Sequence, residues 1–131
     1  MPVGIAPELF VRRAGAALDF YAEAFGAAVD HRVGDGDDIV AQLSVGEATF
    51  WVHAESPALD NASPESLGGC TVRTLLVVDD PGALFARAVA AGAEELSPVG
   101  DEHGWRVGRL RDPFGHNWEI GRPLVTWPPD G

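Results

Sequence analysis

Residues 14–26 read AGAALDFYAEAFG, and residues 81–92 read PGALFARAVAAG. The second segment echoes the first. Each is rich in alanine and keeps apolar residues at helical spacing: Leu18, Tyr21 and Phe25 in one, Leu84, Ala88 and Ala91 in the other. Each ends in glycine followed by alanine, which places Gly26 and Gly92 as helix C-caps. These glycines stand 66 positions apart in a chain of 131 residues, half its length. Self-similarity at half length marks a duplicated module.

The flanks agree with the echo. Residues 5–11 precede the first helix as a short apolar strand, and residues 71–78 (TVRTLLVV) precede the second, with Asp79-Asp80-Pro81 as turn and helix start. Strand-like runs at 28–33, 39–45 and 48–54 follow the first helix, separated by Gly34-Asp35-Gly36-Asp37 and Gly46-Glu47. Runs at 94–99, 105–110 and 116–121 follow the second, broken at 100–104 and 112–115. The expectation is an α+β fold: two βαβββ modules in tandem, residues 4–54 and 70–121, within one domain. The linker at 55–69 (ESPALDNASPESLGG) is polar and full of breakers. The tail at 122–131 holds three prolines and Trp127, and is expected as an irregular strap over the body.

Composition narrows the function. The chain carries nine basic residues, all arginine, against 20 acidic ones, for a net charge of −11. A nucleic-acid surface or an anionic membrane needs a basic face, so neither partner is expected. An acidic ligand held by one arginine stays compatible. No apolar run approaches the roughly 18 residues of a spanning helix. The first residues lack the basic and apolar regions of an export signal, so none is expected. Cys70 is the single cysteine. It can form neither an internal disulfide nor a cysteine-based zinc site, and reads as a small residue at a strand start. The expected compartment is the cytoplasm.

Three local patterns carry a family resemblance. They are Phe20-Tyr21 followed by Phe25-Gly26-Ala27, the run 77–92 followed by Ala93, and Asp112-Pro113-Phe114-Gly115-His116-Asn117-Trp118-Glu119. At this spacing the chain resembles the glyoxalase/bleomycin-resistance proteins, the vicinal oxygen chelate superfamily, over residues 5–121. The match is nearest the glyoxalase-like branch whose last turn reads Asp-Pro-Phe-Gly-His. The resemblance implies curled mixed sheets around a cavity, built by two modules of one chain or of two chains in a dimer. It also implies where the family's enzymes hold a divalent metal. The matching positions here are Ala6, Trp51, Arg73 and Glu119. Only Glu119 can ligate a metal, because arginine stays protonated and offers no lone pair. No metal, no other cofactor and no catalytic residue is therefore expected, and whether the chain is an enzyme stays open.

Strand parity sorts the remaining positions. Leu9, Val11, Ile39, Ala41, Leu43, Val45, Phe50, Val52, Trp118 and Ile120 read as core. The expected ligand-binding residues are Glu8, Phe10, Gln42, Thr49, Trp51, His53, Arg73, Leu75 and Glu119. The plain alternative for Trp51 is core filling, and for His53 a solvent-facing strand end. His116 reads as a turn residue capping backbone groups, and His31 and His103 as surface residues without a role. Arg106 and Arg109 cannot be assigned a face. The favoured reading is a metal-free protein that binds an aromatic or planar small molecule against Trp51 and Phe10, anchored by Arg73, in the manner of the antibiotic-sequestering members. The alternative is a metal-dependent lyase or dioxygenase with displaced ligands Glu8, His53 and Glu119. A third reading uses His53 or Glu8 as a general base without metal. Open sheet edges and a concave face point to a homodimer. Arg73 is expected to pair with Glu119 through two parallel hydrogen bonds.

Overall fold

The elements run β1 (Glu8–Val11), α1 (Ala14–Phe25), β2 (Ala28–Asp35), β3 (Asp38–Val45), β4 (Ala48–Ala54), α2 (Pro64–Leu67), β5 (Arg73–Val77), α3 (Pro81–Ala90), β6 (Glu94–Glu102), β7 (Trp105–Arg111) and β8 (Asn117–Pro123), in a computed structural model describing residues 1–129. The strands form two four-stranded mixed sheets, ordered β1-β4-β3-β2 and β5-β8-β7-β6. In each sheet the strand before the helix runs parallel to the last strand of its half, and the other pairs are antiparallel. The expected α+β class and repeated order are both present, and the sheets are open rather than closed.

Local chemistry explains the helix ends. Gly26 closes α1 at φ 69, and its N–H reaches the Ala22 carbonyl. Asp80 caps α3 by accepting from the Ala83 N–H at 3.1 Å, with Pro81 in the first turn. Ala91 holds the C-cap position of α3, and Gly92 follows it at φ 122. The Arg87 guanidinium of α3 donates to the Glu23 carbonyl at 2.6 Å, at the end of α1. One helix thus caps the other.

The helices pack together, and one hydrophobic core spans both halves. Trp118 of β8 stands 4.9 Å from the Phe25 ring and 5.5 Å from Phe50 of β4. Tyr21 contacts the Phe50, Phe114 and Trp118 rings. Truncating such a buried ring to alanine costs about 3–5 kcal/mol. Asp112, 3% exposed, sits inside this core. One of its oxygens accepts from the Phe114 and His116 N–H groups at 2.9 and 3.0 Å. The other accepts from the Tyr21 hydroxyl, and from the Trp118 indole at 2.9 Å. A buried carboxylate is tolerated because four donors surround it. Burial, with the carboxylate beside it, pushes Tyr21 well above its ordinary pKa.

Several boundaries differ from the sequence expectation. β1 starts at Glu8 rather than at residue 5, which leaves Ala6 outside the strand. Pro7 accepts from Trp51 N at 2.8 Å but has no N–H to extend the ladder. The linker is not irregular throughout. It holds a 3-10 turn at Pro57–Leu59 and the short helix α2, capped by the buried Ser63. Glu55 fixes it by accepting from the Ser63 N–H at 2.9 Å and the Ser66 hydroxyl at 2.6 Å, and these bonds lower its pKa to about 2. β5 is shorter than 71–78, and Cys70 lies ahead of it with its thiol toward the Val72 carbonyl. β8 runs on into the tail as far as Pro123. Beyond it the chain straps back, Leu124 N to Gly104 O at 2.7 Å, and Trp127 meets Trp105 edge-on at 5.4 Å. Residues 130–131 of the expected strap lie outside the described residues.

Candidate functional site

Helices α1 and α3 and the aromatic core lie on one side of each sheet, between the two halves, which leaves the other face of each sheet uncovered. Parity holds well: Leu9, Val11, Ile39, Ala41, Leu43, Phe50, Val52, Trp118 and Ile120 are buried, and Val45 is half-buried against them. The nine expected ligand-binding residues all lie on the opposite faces. They divide into two groups rather than lining one cavity within the chain.

The first face belongs to β1, β4, β3 and β2. Glu8 stands opposite Trp51, and Phe10 opposite His53. Trp51 faces Gln42, and Thr49 faces Ser44. Opposed residues share a sheet face, so Glu8, Phe10, Gln42, Thr49, Trp51 and His53 form one surface. Trp51 is half-buried rather than sealed in the core. His53 is not a loose strand end: its Nε2 meets Glu8 Oε1 at 3.0 Å, and its ring lies 5.3 Å from Phe10 and 6.4 Å from Trp51. His31, expected to have no role, pairs across β2 with Gln42 and joins this face.

The second face belongs to β5, β8 and β7. Leu75, Glu119 and Arg109 stand in one row across the ladders. The expected Arg73–Glu119 pair is present as an ion pair, Nη1 to Oε2 at 3.6 Å, not as two parallel hydrogen bonds. Arg109 is the tighter partner, with its Nε 3.1 Å from the same oxygen. It also donates to Glu102, and the carboxylates, Glu102 first, raise Arg109 above its ordinary pKa. Leu75, Glu102, His103, Trp105, Val107, Glu119 and Trp127 line an open pocket of about 340 Å³. That is within the size range of small-molecule sites.

Sequence reasoning missed Arg109, Trp105, Trp127 and the pocket role of His103. Parity failed on β7 because Val107 and Gly108 are both buried. Gly108 faces the helix: a Cβ there would sit 2.8 Å from the Phe85 ring. A glycine carries no hydropathy signal to say which way it points. Arg106 lies on the side opposite Arg109 and pairs with Asp101 at 2.9 and 3.3 Å, which lowers Asp101 below its ordinary pKa. His116 does cap backbone: its Nε2 lies 2.9 Å from the Phe10 carbonyl and ties the two halves together.

Residues 5–120 match the Glyoxalase/Bleomycin resistance protein/Dioxygenase superfamily. The chain belongs to this superfamily. An uncharacterised protein of Mycobacterium bovis is 38% identical over 126 residues, covering 92% of this chain and 83% of the relative. The crystal structure of TioX from Micromonospora sp. ML1 is 27% identical, with a TM-score of 0.71 over 95% of this chain and 98% of that one. TnmS3, an antibiotic binding protein from Streptomyces sp. CB03234, shares the fold at 20% identity and a TM-score of 0.68, over 94% of this chain and 98% of its own.

The enzymes of this superfamily imply a metal, and the residues here do not fit one. Of the matching positions, Ala6 and Trp51 have no donor, Arg73 is a cation, and the Oε2 of Glu119 is taken by two guanidinium groups. Nor does the displaced set assemble within one chain: Glu8 and His53 are on the first face and Glu119 on the second. Among the described residues no cluster of three His, Cys, Asp or Glu side chains could hold an ion. Nor is any described helix long and apolar enough to cross a membrane.

Proposed function

We propose that this protein is a metal-free, small-molecule-binding member of its superfamily that sequesters an aromatic or planar ligand. The observation that carries the reading is the first face itself, where the half-buried Trp51 and Phe10 are left uncovered beside Glu8, Gln42 and His53. Flat aromatic walls with a few polar groups suit a planar ligand. The fold shared with an antibiotic binding protein supports sequestration, and with it a role in antibiotic resistance.

The enclosed site is formed by a homodimer. The two faces belong to different sheets, so closure takes the first face of one copy over the second face of its partner. That places Trp51 and Phe10 opposite Arg73 and Leu75. Leu75 at 42%, Val77 at 54% and Trp127 at 53% exposure are apolar groups that such a partner would cover. The place of action is the cytoplasm, where the lone, unpaired Cys70 is chemically at home.

Titration with planar aromatic compounds tests the reading through quenching of tryptophan fluorescence. Trp51→Ala is expected to weaken binding by more than about 1 kcal/mol. A ligand bound equally well by Trp51→Ala removes the first face from the site. Light scattering is expected to give twice the chain mass, and a monomer at micromolar concentration contradicts the closed site.

A further inference from the structure

The Glu8–His53 contact has a geometry that packing alone does not require. β1 and β4 run parallel, and Glu8 stands opposite Trp51, not His53. Glu8 nevertheless reaches along the ladder to meet His53 Nε2 at 3.0 Å. A carboxylate can only accept, so Nε2 carries a hydrogen. In the neutral ring the other nitrogen, Nδ1, is then a lone-pair acceptor. Among the described residues it has no hydrogen-bond partner, and it is not sealed from solvent. Phe10 across the ladder and Trp51 along β4 set tilted aromatic rings beside the imidazole, at 5.3 and 6.4 Å.

We infer that Glu8 and His53 form a hydrogen-bond-accepting subsite for an acidic O–H or N–H group on the edge of a planar aromatic ligand, a phenol or enol being the fitting chemistry. The inference rests on the proposal that this face binds such ligands, and it adds the polar group that the ligand must carry. Glu8 is the positioning residue: it fixes the tautomer and the ring plane. His53 is the group that touches the ligand. Gln42, beside Trp51, can donate or accept and does not impose this choice. The neutral ring of His53 demands a donor.

The test uses 2-naphthol and 2-methoxynaphthalene, which share a ring system and differ in the donor. Isothermal titration of the full-length protein is expected to show about five- to tenfold tighter binding of the naphthol, the worth of one added hydrogen bond. In His53→Phe the ratio is expected to fall to about one or below, and in Glu8→Ala to an intermediate value. Nitrogen-15 NMR of the unliganded wild type gives a readout independent of any ligand or variant: the Nε2–H tautomer of His53 is expected. Equal binding of both probes to the wild type, a preference that survives in His53→Phe, an Nδ1–H tautomer, or a ring protonated on both nitrogens at the pH of the titration overturns the inference. If both probes bind equally and Trp51→Ala weakens both, the aromatic face stands and only the subsite fails. If neither probe binds, the aromatic-ligand reading fails and the subsite goes with it.

Discussion

Arg109 and Glu119 face each other across the β7–β8 ladder, Nε to Oε2 at 3.1 Å, with Arg73 reaching the same oxygen from β5. The carboxylate at a family metal position is thereby neutralised by protein cations. Removing one cation tests how the charge is shared. Arg109→Ala is expected to destabilise the fold by about 1 kcal/mol, and Arg73→Ala by a few tenths, since exposed, screened pairs contribute little. Urea unfolding checks this, and the reverse order would place the main partner of Glu119 on β5.

Metal content separates protein cations from a bound ion. Protein purified without a metal-binding tag is expected to carry less than one equivalent of divalent metal by elemental analysis, and chelator treatment to leave aromatic-ligand affinity unchanged. Arg73→His is expected to raise divalent-metal affinity only weakly, because two ligands make a poor site. Stoichiometric metal that requires Glu119 contradicts the neutralised carboxylate.

Asp112 is expected to be the costliest polar residue to lose. Asp112→Ala strands the Tyr21 hydroxyl and the Trp118 indole in the core, for a loss of more than about 3 kcal/mol. Tyr21→Phe removes one donor and leaves three, and is expected to cost about 1–2 kcal/mol. Thermal or urea unfolding that gives Tyr21→Phe the larger loss shifts the weight from the carboxylate to the hydroxyl.

Acid should loosen the linker. The Glu55 carboxyl is held at about 2, against an ordinary value of 4.5, by its bonds to Ser63 and Ser66. A lowered folded-state pKa means that its contribution is fully present above pH 4.5 and is lost as pH falls toward about 2. Glu55→Gln is expected to flatten the pH dependence of unfolding in that window alone. Wild-type and variant curves that run parallel there would remove Glu55 as the clamp.

The repeat was legible because a helix face and its capping residues are local properties. Leu18, Tyr21 and Phe25, ended by Gly26, declare themselves without any tertiary context. Parity carried Leu9, Phe50 and Trp118 into the core for the same reason. It could not say which way the two halves dock. That depends on α1 meeting α3 and on Trp118 reaching Phe25, contacts between residues far apart in sequence. Whether the cavity closes within one chain or across two therefore stayed open, and the expected residues stand on two different sheets. Arg109 was hidden by a different cause, the silent glycine beside it on β7. The Glu8–His53 contact was out of reach because it runs along the ladder rather than straight across it.

The aromatic core lies wholly on the inner sides of the sheets, and this separates two kinds of selection. A substitution at Trp118, Tyr21 or Asp112 is judged on whether the chain folds. A substitution at Glu8, Gln42, Trp51 or Arg73 touches no part of that core and, under the proposed function, is judged on what the chain binds. The outer faces can vary while the inner faces stay as they are. Under the proposed function, a change of ligand then takes a few exchanges on the outer faces that leave the core packing intact.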